Sequence, residues 1–336
     1  MRVWDIKYQL SNSGHSTSFY YGGNNNYQSK ANFSSQLIGG QQFPEPILNV
    51  CWKGNSTNLF VSDVTGGIYN YDIQSNSINK LGAHSLGCKE IIYYENNGLN
   101  LLISGGWDGM LNFWDLRQPN PAFSINMNYK IYSMSMSFPL LVVGMDKQKI
   151  AYFNLNMLGN NFNKIAEFDS HLKHQTRVIS TFPDACGYII GSIEGRVAVK
   201  HVNLNKMPNI DKQTNLMHSD GDFAFRCHRS GNNNSNVYAV NTIAFNKVYH
   251  TFATGGGDGT FHLWDKSSKN KLKIGYHEDK SPITCLAYSE DGNLLAYSSG
   301  NDWSKGVFDN TQKPNRIGIH YLIDDEKKQK PPQKKY

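Results

Sequence analysis

The chain has 336 residues, a length that suits one large β domain or two ordinary ones. Hydrophobic residues make up 39%, enough for a core, and the net charge of +6 is compatible with an anionic partner but too mild to identify one. No run approaches the roughly 18 apolar residues of a membrane span, and MRVWDIKYQL at the start lacks the apolar stretch of a signal peptide. The five cysteines are odd in number and never form a C-x-x-C pair, which points to a reducing compartment and away from structural zinc.

In chain order, MRVWD reads as a strand closing on Trp4-Asp5, so residues 1–10 are expected as the remnant of a first repeat. Residues 11–45 are rich in Asn, Ser and Gly without a sustained period and read as a flexible insertion. Order resumes at Pro46, where Ile47–Trp52 alternates, Leu59–Ser62 follows, and a strand after Gly66-Gly67 ends on Tyr71-Asp72. The next unit carries ISGGWDGMLNFWDL, in which Asp108-Gly109 lies between two apolar runs and Trp114-Asp115 closes the second. Asp-Gly in that setting marks a tight hairpin, because glycine accepts the positive φ the turn requires. Similar units follow around Met145-Asp146, Glu194-Gly195 and Asp291-Gly292, and ATGGGDGTFHLWD repeats the pattern at Ala253–Asp265. A polar break covers residues 203–236, and a basic tail expected to be disordered covers 325–336.

A period near 40 residues with about four short strands per unit predicts an all-β, seven-bladed WD-repeat propeller. Residues 46–324 supply blades two to seven, and the first blade is truncated at the N-terminus, which predicts an incomplete blade or a gap between the termini. The Gly-rich turns are not phosphate loops, since strands flank both and no Gly-Lys-Ser/Thr closes them. Their expected role is structural: His84, Ser104, Asp108 and Trp114 stand where a WD-repeat blade links a His, a hydroxyl, an Asp and the Trp, and Thr254, Asp258 and Trp264 match three of those places. No H-E-x-x-H or G-x-S-x-G pattern occurs, so no catalytic residue, metal, cofactor or small-molecule substrate is assigned.

The less regular stretches GSIEGRVAV (Gly191–Val199), DFAFRCHR (Asp222–Arg229) and LKHQTR (Leu172–Arg177) closely resemble the WD-repeat family that pairs nuclear-pore mRNA export factors with spindle-checkpoint Bub propellers. The resemblance runs from about Pro46 to Ile323. Asp302-Trp-Ser-Lys-Gly306 and Arg117-Gln-Pro-Asn-Pro121 favour the export branch, whereas His250-Thr-Phe-Ala-Thr-Gly-Gly256 and the short FAFRCHR read as much like the checkpoint branch.

The resemblance implies a non-enzymatic adaptor of the nucleus and nuclear pore, present also in the cytoplasm, that holds an acidic GLEBS-type nucleoporin segment and serves mRNA export. On the checkpoint branch the same segment would come from kinases. The residues matched to this role are Arg196 and Arg226, as guanidinium partners for carboxylates, and Trp107, as an apolar anchor if exposed or a packed turn residue if not. Relatives also bind single-stranded RNA, and a stand-alone RNA-binding module is the remaining alternative. The matching patch is Phe225, Arg226, His228, Arg229 and Trp264 with Lys266, Lys271 and Lys273, aromatics and cations suited to base stacking and phosphate neutralisation. Against that stands a structural role for Trp264 and a solvated loop for the lysines.

Overall fold

The computed structural model describes residues 1–10, 18–21, 31–96, 98–118, 120–158, 162, 164–206, 209–210, 213, 215, 217–276, 280–306 and 315–330. They include six four-stranded antiparallel sheets of the propeller-blade type, five with their strands in chain order and one closed by an N-terminal strand, divided between two compact units. The first unit, Met1–Lys7 with Ser34–Ser170, holds three of them. Sheet one is Ile47–Trp52, Asn58–Asp63, Gly67–Asp72 and Ser77–Ala83; sheet two is Cys88–Asn96, Leu99–Gly106, Met110–Trp114 and Phe123–Asn126; sheet three is Ile131–Ser137, Leu140–Met145, Lys149–Asn154 and Ala166–Asp169.

The second unit, Tyr8–Phe33 with His171–Tyr336, holds the other three. Sheet four is Thr176–Thr181, Gly187–Ser192, Arg196–His201 and Phe223–Arg226, the last of which lies inside the stretch 203–236 expected as a polar break. Sheet five is Val240–Phe245, Thr251–Gly256, Thr260–Asp265 and Asn270–Tyr276. Sheet six is Ile283–Tyr288, Leu294–Ser299 and Arg316–Tyr321, with Ser18–Tyr21 as its fourth strand.

Within each unit the first strands of successive sheets lie side by side, so neighbouring sheets pack face to face. Alternating apolar residues therefore meet between sheets: Phe60, Ile68, Ile91, Leu102 and Trp114 between sheets one and two, and Phe261, Leu263, Ile283, Leu295 and Tyr297 between sheets five and six. The second strand of sheets three, four and five is buried throughout, because both of its faces are covered. A register shift recurs near the start of the first strand in all six sheets, as at Cys88/Glu90 and Val240/Thr242. The bulge re-aims the strand at the same point each time and shows that the six sheets are copies of one unit.

Three expectations change. The described chain has six four-stranded blades rather than seven. The opening residues do not stand as a lone truncated blade: Arg2–Leu10 pairs with Ala31–Gly40 in a two-stranded sheet, and Val3 and Phe43 pack with Leu59, Val61 and Tyr71 of sheet one. Secondly, the stretch 11–45, expected as a flexible insertion, contributes both Ala31–Gly40 and the outer strand Ser18–Tyr21 of sheet six. Edge strands bury little and need no apolar alternation, so periodicity passed over them; residues 11–17 and 22–30 lie outside the described residues. Thirdly, the tail is anchored as far as Lys330. A short helix, Asp324–Lys327, buries Glu326 and Lys327, and Lys330 N–H donates to Asp265 Oδ2 at 3.0 Å. Charge-rich composition signals disorder only when the charges lack partners, and here they have them. Residues 331–336 lie outside the described residues. No helix among the described residues is long and apolar enough to cross a membrane.

Candidate functional site

In sheet two, Trp114 Nε1–H donates to Ser104 Oγ at 2.8 Å, and Ser104 Oγ lies 2.7 Å from His84 Nε2. His84 Nδ1 faces both Asp108 oxygens at 3.0 and 3.1 Å. A carboxylate only accepts, so Nδ1 carries the imidazole proton and Nε2 accepts from the serine. Burial pushes the Asp108 carboxyl up, but the Met110 N–H and His84 outweigh it and hold the pKa below its ordinary value. Every member is satisfied, which makes the chain a staple for its blade.

Sheet five repeats this chain with a residue that periodicity did not assign. Trp264 Nε1–H donates to Thr254 Oγ1 at 3.0 Å, Thr254 Oγ1 lies 2.9 Å from His228 Nε2, and His228 Nδ1 lies 2.9 Å from Asp258 Oδ1. His228 therefore supplies the fourth place beside Thr254, Asp258 and Trp264. It is 0% exposed with both ring nitrogens engaged, so it is corrected from an RNA contact to a structural residue.

Sheet four places the two arginines. The turn at Glu194-Gly195 joins its second and third strands; Gly195 has φ +62°, and a Cβ there would sit 2.6 Å from Cys227 O. Glycine thus lets SIEGR lie against FRCHR, with Cys227 N–H donating to Gly195 O at 3.0 Å. The register pairs Arg196 with Arg226, Val197 with Phe225 and Val199 with Phe223. Arg196 is partly exposed and its Nε lies 3.6 Å from Glu194 Oε2, whereas Arg226 is exposed. Arg229 Nη2 donates to Glu194 O at 2.8 Å, fixing the strand end.

Between the outer strands of sheets four and five lies a cavity of about 520 Å³. Arg226, Arg229, Trp264 and Lys271 line it, joined by Tyr238 and Lys280, and His228, Asp258 and His262 form part of its wall. Phe225 backs the Trp264 ring at 4.4 Å between centroids. Two of the expected cations are elsewhere. Lys266 Nζ sits 3.7 Å over the buried Phe182 ring, and burial pulls its pKa down. Lys273 pairs with Glu326 of the terminal helix; the register shift between Leu263 and Trp264 pairs Lys273 with Leu263 and Lys271 with Trp264, so the two lysines leave opposite faces. Tyr238, in the stretch after FRCHR, and Lys280, in a loop without pattern, carried no sequence signal for this site.

Trp107, in the first unit, is half-buried rather than an open anchor. Its ring packs on Gly87, where a Cβ would meet Cε3 at 2.6 Å, and its Nε1 is buried without a hydrogen-bond partner among the described residues.

His228, Asp258 and His262 offer donor atoms within 4.8 Å of one another, the geometry of a small metal cluster. The chemistry is against a cation there. Both His228 nitrogens are occupied, and Arg226, Arg229, Lys271 and Lys280 surround the cavity. The charged side chains that line the cavity are mostly cationic.

Three segments, 76–115, 224–265 and 269–304, match the WD domain, G-beta repeat model. A poly(A)+ RNA export protein of Schizosaccharomyces pombe is 37% identical over 85% of this chain and 78% of its own. The mRNA export factor GLE2 of Chaetomium thermophilum is 33% identical over 92% of this chain and 83% of its own, and the mRNA export factor of Xenopus tropicalis 34% over 85% and 76%. With identity of this order across most of both chains, on a scaffold of WD-repeat blades, the chain belongs to the mRNA export factor family of WD-repeat proteins.

Proposed function

We propose that the protein is a non-enzymatic adaptor for mRNA export that holds an acidic GLEBS-type nucleoporin segment on the Arg196–Arg226 ladder and works at the nuclear pore. The observation that carries the reading is the cross-strand pairing of those two arginines. Like charges directly opposite destabilise a sheet, so their placement makes sense as a receptor for carboxylates. The naming of relatives as mRNA export factors supports the process, and blade turns suit display because the scaffold orders their side chains in advance. Purified protein should bind a synthetic GLEBS-type peptide in calorimetry, and Arg196→Glu with Arg226→Glu should abolish it; unchanged affinity would remove these residues from the role. Tagged protein should stain the nuclear rim in interphase, with a cytoplasmic pool; kinetochore staining in mitosis would favour a checkpoint scaffold instead.

A second activity rests on the cavity. Trp264 backed by Phe225 offers an aromatic surface, and Arg226, Arg229 and Lys271 offer phosphate partners, a combination suited to single-stranded RNA. Oligo(U) affinity should fall steeply with salt and drop further in Lys271→Glu. Loss through Arg226 alone, with Lys271→Glu silent, would move the RNA away from the cavity.

A further inference from the structure

The stretch Asn301–Gly306, which follows the second strand of sheet six, presents the most exposed large hydrophobic side chain described. Trp303 is 64% exposed and has φ +60°. A bulky residue in the left-handed region is strained, and such strain persists only where surrounding contacts impose it. Those contacts are visible. Trp303 N–H donates to Asn301 Oδ1 at 2.9 Å, Gly306 N–H to Trp303 O at 2.9 Å, and Ser304 N–H to Asp302 Oδ1 at 3.1 Å. Asp302 Oδ2 accepts from Asn241 Nδ2 at 3.2 Å, and the same amide donates to Ile283 O at 3.0 Å, tying the loop to sheets five and six. The indole is held out on a hydrogen-bonded loop.

Beside it lies a second cavity of about 280 Å³, lined by Tyr238, Lys280, Pro282, Asp302, Ser304 and Lys305 among others. It shares Tyr238, Asp258 and Lys280 with the larger cavity, so the two adjoin as one trough leading from Arg226 to the Asp302–Lys305 stretch of the loop that carries Trp303. Five cations border the trough: Arg226, Arg229, Lys271, Lys280 and Lys305. Its two carboxylates are already engaged, Asp258 by His228 and Thr260 and Asp302 by Asn241 and Ser304.

We propose that this trough continues the binding path of the acidic segment, and that Trp303 is a second anchor, taking an apolar side chain of that segment some distance along from the arginine ladder. The inference rests on the proposed binding of an acidic segment at Arg196 and Arg226. Charge complementarity selects an acidic partner. The Trp303 end favours a peptide over RNA, because a peptide can set an apolar side chain on the indole while its carboxylates lie along the cationic part of the trough. An exposed tryptophan beside a cationic trough is the arrangement of an interface hot spot.

The full chain is titrated with a fluorescein-labelled synthetic GLEBS-type peptide by anisotropy, in wild type, Trp303→Ala, Trp303→Phe, Lys280→Glu with Lys305→Glu, and Arg196→Glu with Arg226→Glu. Trp303→Ala should weaken binding about tenfold, Trp303→Phe should restore most of it, and the lysine pair should weaken it with a shallower salt dependence. Because the side chain is exposed, thermal unfolding should be unchanged. Full affinity in Trp303→Ala, with the arginine variant dead, overturns this inference and leaves the proposed function standing. Absence of peptide binding in the wild type overturns both. A Trp303→Ala protein that binds peptide normally but loses oligo(U) also overturns it, in favour of base stacking.

Discussion

Arg196 and Arg226 face each other across one antiparallel ladder, and among the described residues the only carboxylate paired with either is Glu194, 3.6 Å from Arg196 Nε and also 3.7 Å from His174 Nε2. One half-engaged carboxylate does not neutralise two guanidinium groups. Stability and binding should therefore respond in opposite senses to loss of charge. Arg226→Gln relieves a like-charge contact worth less than about 1 kcal/mol, so urea unfolding should show no loss of stability or a slight gain. Binding of an acidic peptide, measured by calorimetry on the same sample, should weaken at least about tenfold, or about 1.4 kcal/mol. A variant that loses stability and keeps affinity would make Arg226 a structural residue.

The two Trp–hydroxyl–His–Asp chains give a prediction that does not depend on function. Ser104→Ala and Thr254→Val each remove the central hydroxyl from a buried chain, leaving the indole N–H of Trp114 or Trp264 unpaired and the imidazole Nε2 of His84 with only a long contact to Asn112 Nδ2, or that of His228 with its hydroxyl partner gone. Each should cost about 1–3 kcal/mol in chemical unfolding. His228→Ala should behave in the same way and leave the charge of the cavity intact. If His228→Ala instead removed RNA binding without loss of stability, its structural assignment would fall.

These chains also show where sequence reading reaches its limit. In sheet two, His84 precedes Ser104 by 20 residues, within one repeat, and the four members could be named from spacing. His228 belongs to the same chain in sheet five, but it lies 26 residues before Thr254, just past the outer strand of sheet four and inside the stretch read as a polar break, among Phe225, Arg226 and Arg229. Its neighbours in sequence line a cationic cavity, so composition assigned it to their chemistry; its burial is set by tertiary packing. The lysines failed for a related reason. Lys271 and Lys273 are two apart and would share a face in a regular strand, but the register shift at Leu263/Trp264 sends them to opposite faces. The blade turns, by contrast, were legible because Asp-Gly hairpins are locally determined. The outer strands Ser18–Tyr21 and Ala31–Gly40 were not, since each is defined by a distant partner rather than by its own pattern.

The terminal helix should make the protein acid-sensitive. Burial pushes the Glu326 carboxyl up, but hydrogen bonding and charge from His320, followed by Lys273, overcome it and bring the pKa down to about 2 from an ordinary 4.5. A carboxylate depressed on folding adds stability above its unfolded pKa and loses it as the pH falls through the folded one. The contribution should be intact above about pH 5 and vanish progressively towards pH 2, with a magnitude of about 3 kcal/mol. Glu326→Gln should lower the melting temperature at neutral pH and flatten the dependence between pH 5 and 2. An unchanged acid limb in that variant would place the sensitivity in other carboxylates, such as Asp108 and Asp258.

The position of the outer strand of sheet four rests on a second buried pair. Lys200, in the third strand, is nearly inaccessible, and its Nζ donates to Asp222 Oδ2 at 2.9 Å and to Met217 O at 3.1 Å, with His171 Nε2 at 3.0 Å. Burial pulls the lysine pKa down, and Asp222 only partly restores it. Asp222 also accepts from His201 N–H at 2.8 Å, so it fixes the residue just before Phe223–Arg226 and with it the register that sets Arg226 opposite Arg196. Lys200→Met strands a part-buried carboxylate and should cost about 3–5 kcal/mol, whereas Lys200→Met with Asp222→Asn should recover much of that, because both charges are gone. The double variant keeps every arginine of the ladder but loses the latch that seats the strand. Its affinity for an acidic peptide should fall, through faster dissociation, at a temperature where circular dichroism shows it folded. Wild-type affinity in that folded double variant would mean that the ladder of Arg196 and Arg226 holds its register without the latch.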